Sequence, residues 1–440
     1  MDMLVIRGGT PLGGTSRISG AKNSALPILA ASLLTDGPVC LSEVPSLADV
    51  TTLTQLLQFL GVDLQSEGRN ELSIRVVDRT PFTAPYDLVR KMRASICVLG
   101  PLLARRGRAR VSLPGGCNIG HRPIDLHLRG LESLGARIRV EGGYVVASAR
   151  RLRGTTIDLA GPHGTTVTGT ANIMAAAVLA SGVTTITSAA LEPEIVDLAN
   201  FLNGLGARVT GQGTPVIRVE GVASLGGGSH TVIPDRIETA TLLAAACATR
   251  GEVTLTNAEA GHLSAVIELL RQIGAEIDAS DDGTLHVACR RVEPRAVSFT
   301  AVPFPGIPTD VQAQLTALLT SARGASVVTD TVFPDRFMHV SELCRMGASI
   351  ERRGDSAVIH GGRRLTGASV MASDLRASAA LLIAALGAEG ESTIRRVYHL
   401  DRGYERLDLK LSSLGAQIQR VKDAPEVQPR DPALPLKKAA

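Results

Sequence analysis

The sequence predicts an α/β protein of six repeated units, each about seventy residues long, divided between two lobes of three units. Three observations predict it. A phrase of an apolar residue, glycine, a small residue, any residue and an aliphatic recurs, its glycines at Gly61, Gly135, Gly206, Gly274, Gly347 and Gly415, 68 to 74 residues apart. Six copies at near-equal spacing mark an internal repeat. Upstream of each phrase lies a run that is apolar nearly all round, and a helix without a polar face is buried on every side. Six such units exceed one core, because single cores stop growing near ~250–300 residues. The period is also too long for a stacked superhelix of short repeats.

The elements follow in order within each unit. The phrases are Leu60-Gly61-Val62-Asp63-Leu64, Leu134-Gly135-Ala136-Arg137-Ile138, Leu205-Gly206-Ala207-Arg208-Val209, Ile273-Gly274-Ala275-Glu276-Ile277, Met346-Gly347-Ala348-Ser349-Ile350 and Leu414-Gly415-Ala416-Gln417-Ile418. Each reads as a helix closed by a C-terminal glycine and followed at once by a strand. The residues before them have helical period, as over 266–273. The apolar runs predict buried helices at 25–34, 96–104, 173–180, 240–248, 315–321 and 377–386. A unit therefore reads strand, buried helix, strand, surface helix, strand. The glycine run at 226–229 reads as a linker between lobes.

Composition narrows the partners. Of 440 residues, 44% are hydrophobic and only 2% aromatic, with no tryptophan, so the cores are aliphatic. Scarce aromatics argue against single-stranded nucleic acid, which binds on stacking platforms. The net charge of +4 is spread along the chain and not clustered as a nucleic-acid footprint, but it suits a small anionic substrate. Residues 1–5 lack the regions of a signal peptide. No run approaches the ~20 apolar residues that span a bilayer. The cysteines at 40, 97, 117, 247, 289 and 344 have no paired spacing, and those at 97 and 247 sit in apolar helical runs as small hydrophobes. The expectation is a reduced cytoplasmic monomer with no membrane or nucleic-acid partner. The proline-rich residues 423–440 are expected to be disordered.

Chemistry concentrates in loops and at helix starts. Cys117 lies in Pro114-Gly115-Gly116-Cys117-Asn118-Ile119-Gly120-His121-Arg122-Pro123. This is either a hairpin turn or a poised thiol, its pKa lowered by His121 or Arg122. The buried helices begin with Lys22 and Asn23, with Arg93, with 169–172, with 235–239, with Thr309 and Asp310, and with Asp374 and Arg376. Six helix N-termini aimed at common ground make a candidate anion site. Asp374 reads as an N-cap. Asp310 follows the stiff Pro305-Gly306-Ile307-Pro308 and reads as a cap or as a carboxylate held toward a ligand. The segments 332–339 and 401–406 are surface salt bridges or site loops. No metal-binding, Walker or dinucleotide motif is present, so neither metal nor cofactor is expected.

These residues carry a resemblance. From Met1 to about Lys422 the chain resembles the UDP-N-acetylglucosamine 1-carboxyvinyltransferases of the enolpyruvyl transferase family. The resemblance rests on Ser19-Gly20-Ala21-Lys22-Asn23, Met92-Arg93-Ala94-Ser95, Leu113-Pro114-Gly115-Gly116-Cys117, Pro123-Ile124-Asp125-Leu126-His127 and Glu192-Pro193-Glu194-Ile195-Val196-Asp197. Asp235-Arg236-Ile237-Glu238-Thr239, Thr309-Asp310-Val311-Gln312, Arg336-Phe337-Met338-His339, Asp374-Leu375-Arg376-Ala377-Ser378 and Asp401-Arg402-Gly403-Tyr404-Glu405-Arg406 extend it.

It implies a two-lobed inverted α/β barrel, with lobe one over 22–229, lobe two over 1–21 plus 230–422, and the site in the cleft between them. It implies addition of the 3′-hydroxyl of UDP-N-acetylglucosamine to C2 of phosphoenolpyruvate, then loss of phosphate, in peptidoglycan synthesis, with consequences for cell shape and division. Cys117 would be the proton donor able to form a pyruvate adduct, and Asp310 the base. Lys22, Arg122 and Arg402 would hold the anionic groups, with Asn23 beside them. Arg93, Pro123, Ile124, Asp125, Leu126, Thr166, Val167, Thr168, Gly169, Val332, Arg336 and Arg376 would complete the substrate contacts.

Two departures stand out: the segment 161–169 lacks the family's frequent lysine, and Ala48 stands where a lysine is usual. Two other readings remain at this point. One is the shikimate-phosphate enzyme of the same fold, which does not use this thiol; the other is an inactive paralogue acting as a regulatory binding protein.

Overall fold

The computed structural model describes residues 2–114, 123–162, 164–289 and 293–422. All six phrase glycines take positive φ, between 84° and 120°, so each closes its outer helix in a conformation that side chains rarely adopt. The outer helices are Ala48–Phe59, Asp125–Ser133, Pro193–Gly204, Ser264–Ile273, His339–Arg345 and Leu407–Ser413.

The six core helices are Lys22–Ala31, Leu99–Arg106 entered through a 3-10 turn at Arg93–Val98, Val167–Ala177, Arg236–Ala248, Thr309–Leu319 and Leu375–Gly387. Within each lobe its three core helices pack on one another. Where the second and third meet, Gly100 N–H donates to Asn172 Oδ1 at 2.6 Å, an approach that a β-carbon would block. Most core helices begin several residues before their apolar runs. Their first turns are polar, so hydrophobic periodicity misses them, whereas the interiors are sheathed on all sides, as from Arg376 to Leu386.

Six four-stranded sheets surround these helices. Each unit gains a strand beyond the sequence reading, because in the first five units the phrase opens a β-hairpin and not a single strand. Every sheet has one order, an edge strand, the strand after the core helix parallel to it, then two antiparallel strands, which are the two hairpin strands in the first five units. Two units take their edge strand from a distant part of the chain within the same lobe. Gly13–Arg17 pairs with Glu252–Thr256 in the fourth unit. Gly228–Thr231 pairs with Val39–Ser42 in the first, so the glycine run forms part of a strand and is more than a linker. Strand Asp2–Arg7 inserts between Glu391–Arg395 and Gln417–Lys422 and completes the sixth sheet.

Buried apolar side chains fall into two clusters, one from Ala21 to Val232, the other from Leu4 to Ile18 together with Ile237 to Ala416. The chain therefore crosses between them twice, and the crossings touch where Gly20 bridges Pro234. Among the described residues no helix is long and apolar enough to cross a membrane.

Candidate active site

A cavity of about 600 Å³ opens between the two clusters, and residues at the starts of all six core helices line it. Their positive dipole ends meet in one volume, an arrangement that favours anions. Three helices are capped by side chains: Thr166 accepts from Gly169 N, Asp235 from Ile237 N and Glu238 N, and Asp374 from Arg376 N and Ala377 N. Asp310 makes no such cap and stays available to the cavity.

Charged groups form three clusters on the wall. Lys22 Nζ donates to Asp49 Oδ2 at 3.0 Å, and Arg402 Nε donates to Asp49 Oδ1 at 2.9 Å, so one carboxylate ties a cation from each side of the cleft. Burial raises the Asp49 carboxyl, but the charges of Lys22 and Arg402 outweigh it and hold it below its ordinary value.

Asp310 accepts from Arg336 at 2.8 Å and from Arg376 at 2.9 Å, while Asn23 Nδ2 donates to it across the cleft at 3.4 Å. Here too burial works upward, and the two guanidiniums overcome it and keep the carboxyl well below the usual range. In the third cluster Arg236 grips Glu194 with two hydrogen bonds, at 2.9 and 3.2 Å. Beside it burial raises the carboxyl of Glu192.

Behind Asp310 lies a buried polar network. Gln314 Nε2 donates to the Asp310 carbonyl at 2.8 Å and to the Tyr404 hydroxyl at 3.1 Å. That hydroxyl lies 2.9 Å from Thr241 Oγ1, and Thr241 already donates to the Ile237 carbonyl, so Tyr404 donates to Thr241. Arg376 stands 5.4 Å from the Tyr404 ring centre, within cation–π range. Tyr404 thus joins the fourth, fifth and sixth core helices under the Arg376–Asp310 pair.

The profile of a family described as EPSP synthase (3-phosphoshikimate 1-carboxyvinyltransferase) matches residues 6–411. A UDP-N-acetylglucosamine 1-carboxyvinyltransferase from Methylacidiphilum infernorum is 52% identical over 423 residues, covering 96% of this chain and 99% of its own. The chain belongs to the UDP-N-acetylglucosamine 1-carboxyvinyltransferase family. A second member, UDP-N-acetylglucosamine 1-carboxyvinyltransferase 2 of Carboxydothermus hydrogenoformans, is 53% identical over 424 residues, covering 96% of this chain and all of its own length. Among solved structures, the enolpyruvyl transferase NikO from Streptomyces tendae matches with a TM-score of 0.85 at 26% identity, over 95% of this chain and 98% of that one. EPSP synthase from Acinetobacter baumannii matches at 0.73 with 19% identity, over 96% of this chain and all of that one, a likeness of fold alone. The protein is thus an enzyme of this family with the two-lobed enolpyruvyl transferase fold.

Of the residues expected in a family site, the cavity wall brings together Lys22, Asn23, Arg93, Pro123, Asp125, Leu126, Thr166, Val167, Thr168, Asp310, Val332, Arg336, Arg376 and Arg402. Ile124 and Gly169 stand off it. Ile124 packs against the first core cluster, and Gly169 is buried under the capping Thr166. Cys117 and Arg122 lie outside the described residues, as does the tail over 423–440. Sequence reasoning left out Asp49, Glu192, Glu194, Arg236 and His399, which also line the cavity. Glu192, Glu194 and Arg236 stand in segments that carry the family resemblance, but nothing in those segments assigned them to the site. Asp49 had no signal, because an acidic residue in the first turn of an outer helix reads as helix-dipole decoration. Among the described residues no cluster of three or more His, Cys, Asp or Glu could hold a metal.

Proposed function

We propose that this enzyme transfers the enolpyruvyl group of phosphoenolpyruvate to the 3′-hydroxyl of UDP-N-acetylglucosamine, releasing phosphate, in the cytoplasm, at the entry to peptidoglycan synthesis. The observation that carries the reading is identity of 52% to a relative of that name along almost its whole length. The cavity supports it, since its wall carries Lys22, Arg93, Arg336, Arg376 and Arg402, cations of the kind that neutralise a carboxylate and a phosphate.

In this reading Lys22 and Arg402 hold phosphoenolpyruvate, with Arg122 as a third cation. Arg93, residues 123–126, residues 166–169, Val332, Arg336 and Arg376 surround the nucleotide sugar. Asp310, ionised and flanked by two guanidiniums, accepts a hydrogen bond from the sugar hydroxyl and takes its proton as the C–O bond forms. A carboxylate this acidic is a weak base, so it orients the hydroxyl before it deprotonates it. Cys117 donates the proton to C3, and elimination of phosphate with loss of a C3 proton gives the enol ether. The lobes run over 22–229 and over 1–21 with 230–422, and closure about the two crossings excludes water from the cleft.

The test is phosphate release from phosphoenolpyruvate. It is expected to require UDP-N-acetylglucosamine in the wild type, to collapse in Cys117→Ala and to survive in part in Cys117→Asp, whose carboxyl can still donate a proton. Release without the sugar, or none in the wild type, would overturn the assignment.

A further inference from the structure

Cys247 and Cys289 take no part in the proposed reaction and stand apart from the cavity wall. Both are free thiols, and both are buried. Their sulfurs lie 3.1 Å apart, about 1 Å more than a disulfide bond. The backbone holds them there. Cys247 lies in the last turn of the fourth core helix, and its carbonyl accepts from Arg250 N at 3.1 Å. Gly251 N then donates to the Ala246 carbonyl at 2.8 Å, and the Gly251 carbonyl accepts from Cys289 N at 2.9 Å. The next ladder rung pairs Glu252 with Ala288. One tight turn therefore pins the helix end to the strand end, with a sulfur on each.

We propose that Cys247 and Cys289 are a modification site, a dithiol that closes to an intramolecular disulfide under a two-electron thiol oxidant such as hydrogen peroxide. One sulfur attacks the peroxide O–O bond, becoming a sulfenic acid as the first water leaves. The second thiol attacks that sulfur, the S–S bond forms, and the second water leaves with the remaining proton. Two thiols are oxidised and one peroxide is reduced to two waters. The contact between the two sulfurs lowers the Cys289 thiol, which suits Cys289 to attack first, while the same contact and burial raise Cys247 and keep it protonated. In a reducing compartment the pair stays open and closes only under oxidative load. The bond staples the outer helix and hairpin of the fourth unit to its core helix.

The whole protein, treated with hydrogen peroxide, denatured and blocked with N-ethylmaleimide, is mapped by peptide mass. The expected result is a Cys247–Cys289 cross-linked peptide that dithiothreitol dissolves, together with a higher melting temperature for the oxidised protein. Cys247→Ser and, independently, Cys289→Ala remove both signals. Exposed Cys40 and Cys344 report that the oxidant acted. Recovery of Cys247 and Cys289 as separate maleimide adducts, or as separately oxidised residues, once Cys40 or Cys344 has reacted would overturn the proposal.

Discussion

Tyr404 shows how a buried side chain with no place on the cavity wall can govern one that has. Its hydroxyl is bonded to Thr241 and Gln314, and its ring faces Arg376, which holds Asp310. Tyr404→Phe keeps the ring and removes the hydroxyl. The expected outcome in steady-state kinetics is a kcat about 10-fold lower, the worth of about one hydrogen bond, with both KM values within about twofold. Equal loss in kcat and in thermal stability, recovered on cooling, would mean that the hydroxyl only supports the fold. This residue belonged to a motif legible in the sequence, but its role did not. The motif says that 401–406 matters; only the packing says that Arg402 faces Asp49 while Tyr404 turns inward. Asp49 was invisible for a related reason, because a buried carboxylate between two cations depends on side chains 27 and 353 residues away.

At the scale of elements, the recurring glycine was the most legible feature, and the structure explains why. Gly347 has φ +96, and nothing lies within 4 Å of where a β-carbon would stand, so Gly347→Ala costs only backbone strain, about 1–2 kcal/mol by denaturant unfolding. Gly20, at the crossing, is different. A β-carbon there would lie 1.7 Å from the Glu43 carbonyl oxygen, and Gly20→Ala is expected to cost more than ~4 kcal/mol or to prevent folding.

The crossing is also clamped by Glu238, which accepts from Ser19 N at 3.2 Å and pairs with Lys410. Burial, against the pull of Lys410, raises Glu238 from 4.5 to about 6. The folded value lies above the unfolded one, so the stabilisation from protonation is full below about pH 4.5 and is lost as pH rises through about 6. Relative to Glu238→Gln, the wild type is therefore expected to lose about 2 kcal/mol over that window in urea titrations. No offset between the two curves with pH would contradict this. Helix starts were less legible, since the polar first turns that build the site break the apolar pattern that reveals a core helix.

For the whole molecule, the repeat announced two lobes, but the long-range edge strands that close the sheets did not show. Gly13–Arg17 and Gly228–Thr231 are short and polar, and their partners lie 239 and 189 residues away. Those pairings couple the crossings to the sheets of both lobes and set six helix starts around one cleft. The central claim is that the two lobes build a single anion site, with Lys22 from one and Arg402 from the other sharing Asp49. Its most direct test is sugar-dependent phosphate release from phosphoenolpyruvate in Lys22→Ala, Arg402→Ala and the double variant. Each single change is expected to cost about 100-fold or more in kcat/KM, and the double little beyond the worse single, because groups acting as a unit are not additive. Single variants that work at the wild-type rate, or losses that simply multiply, would contradict it.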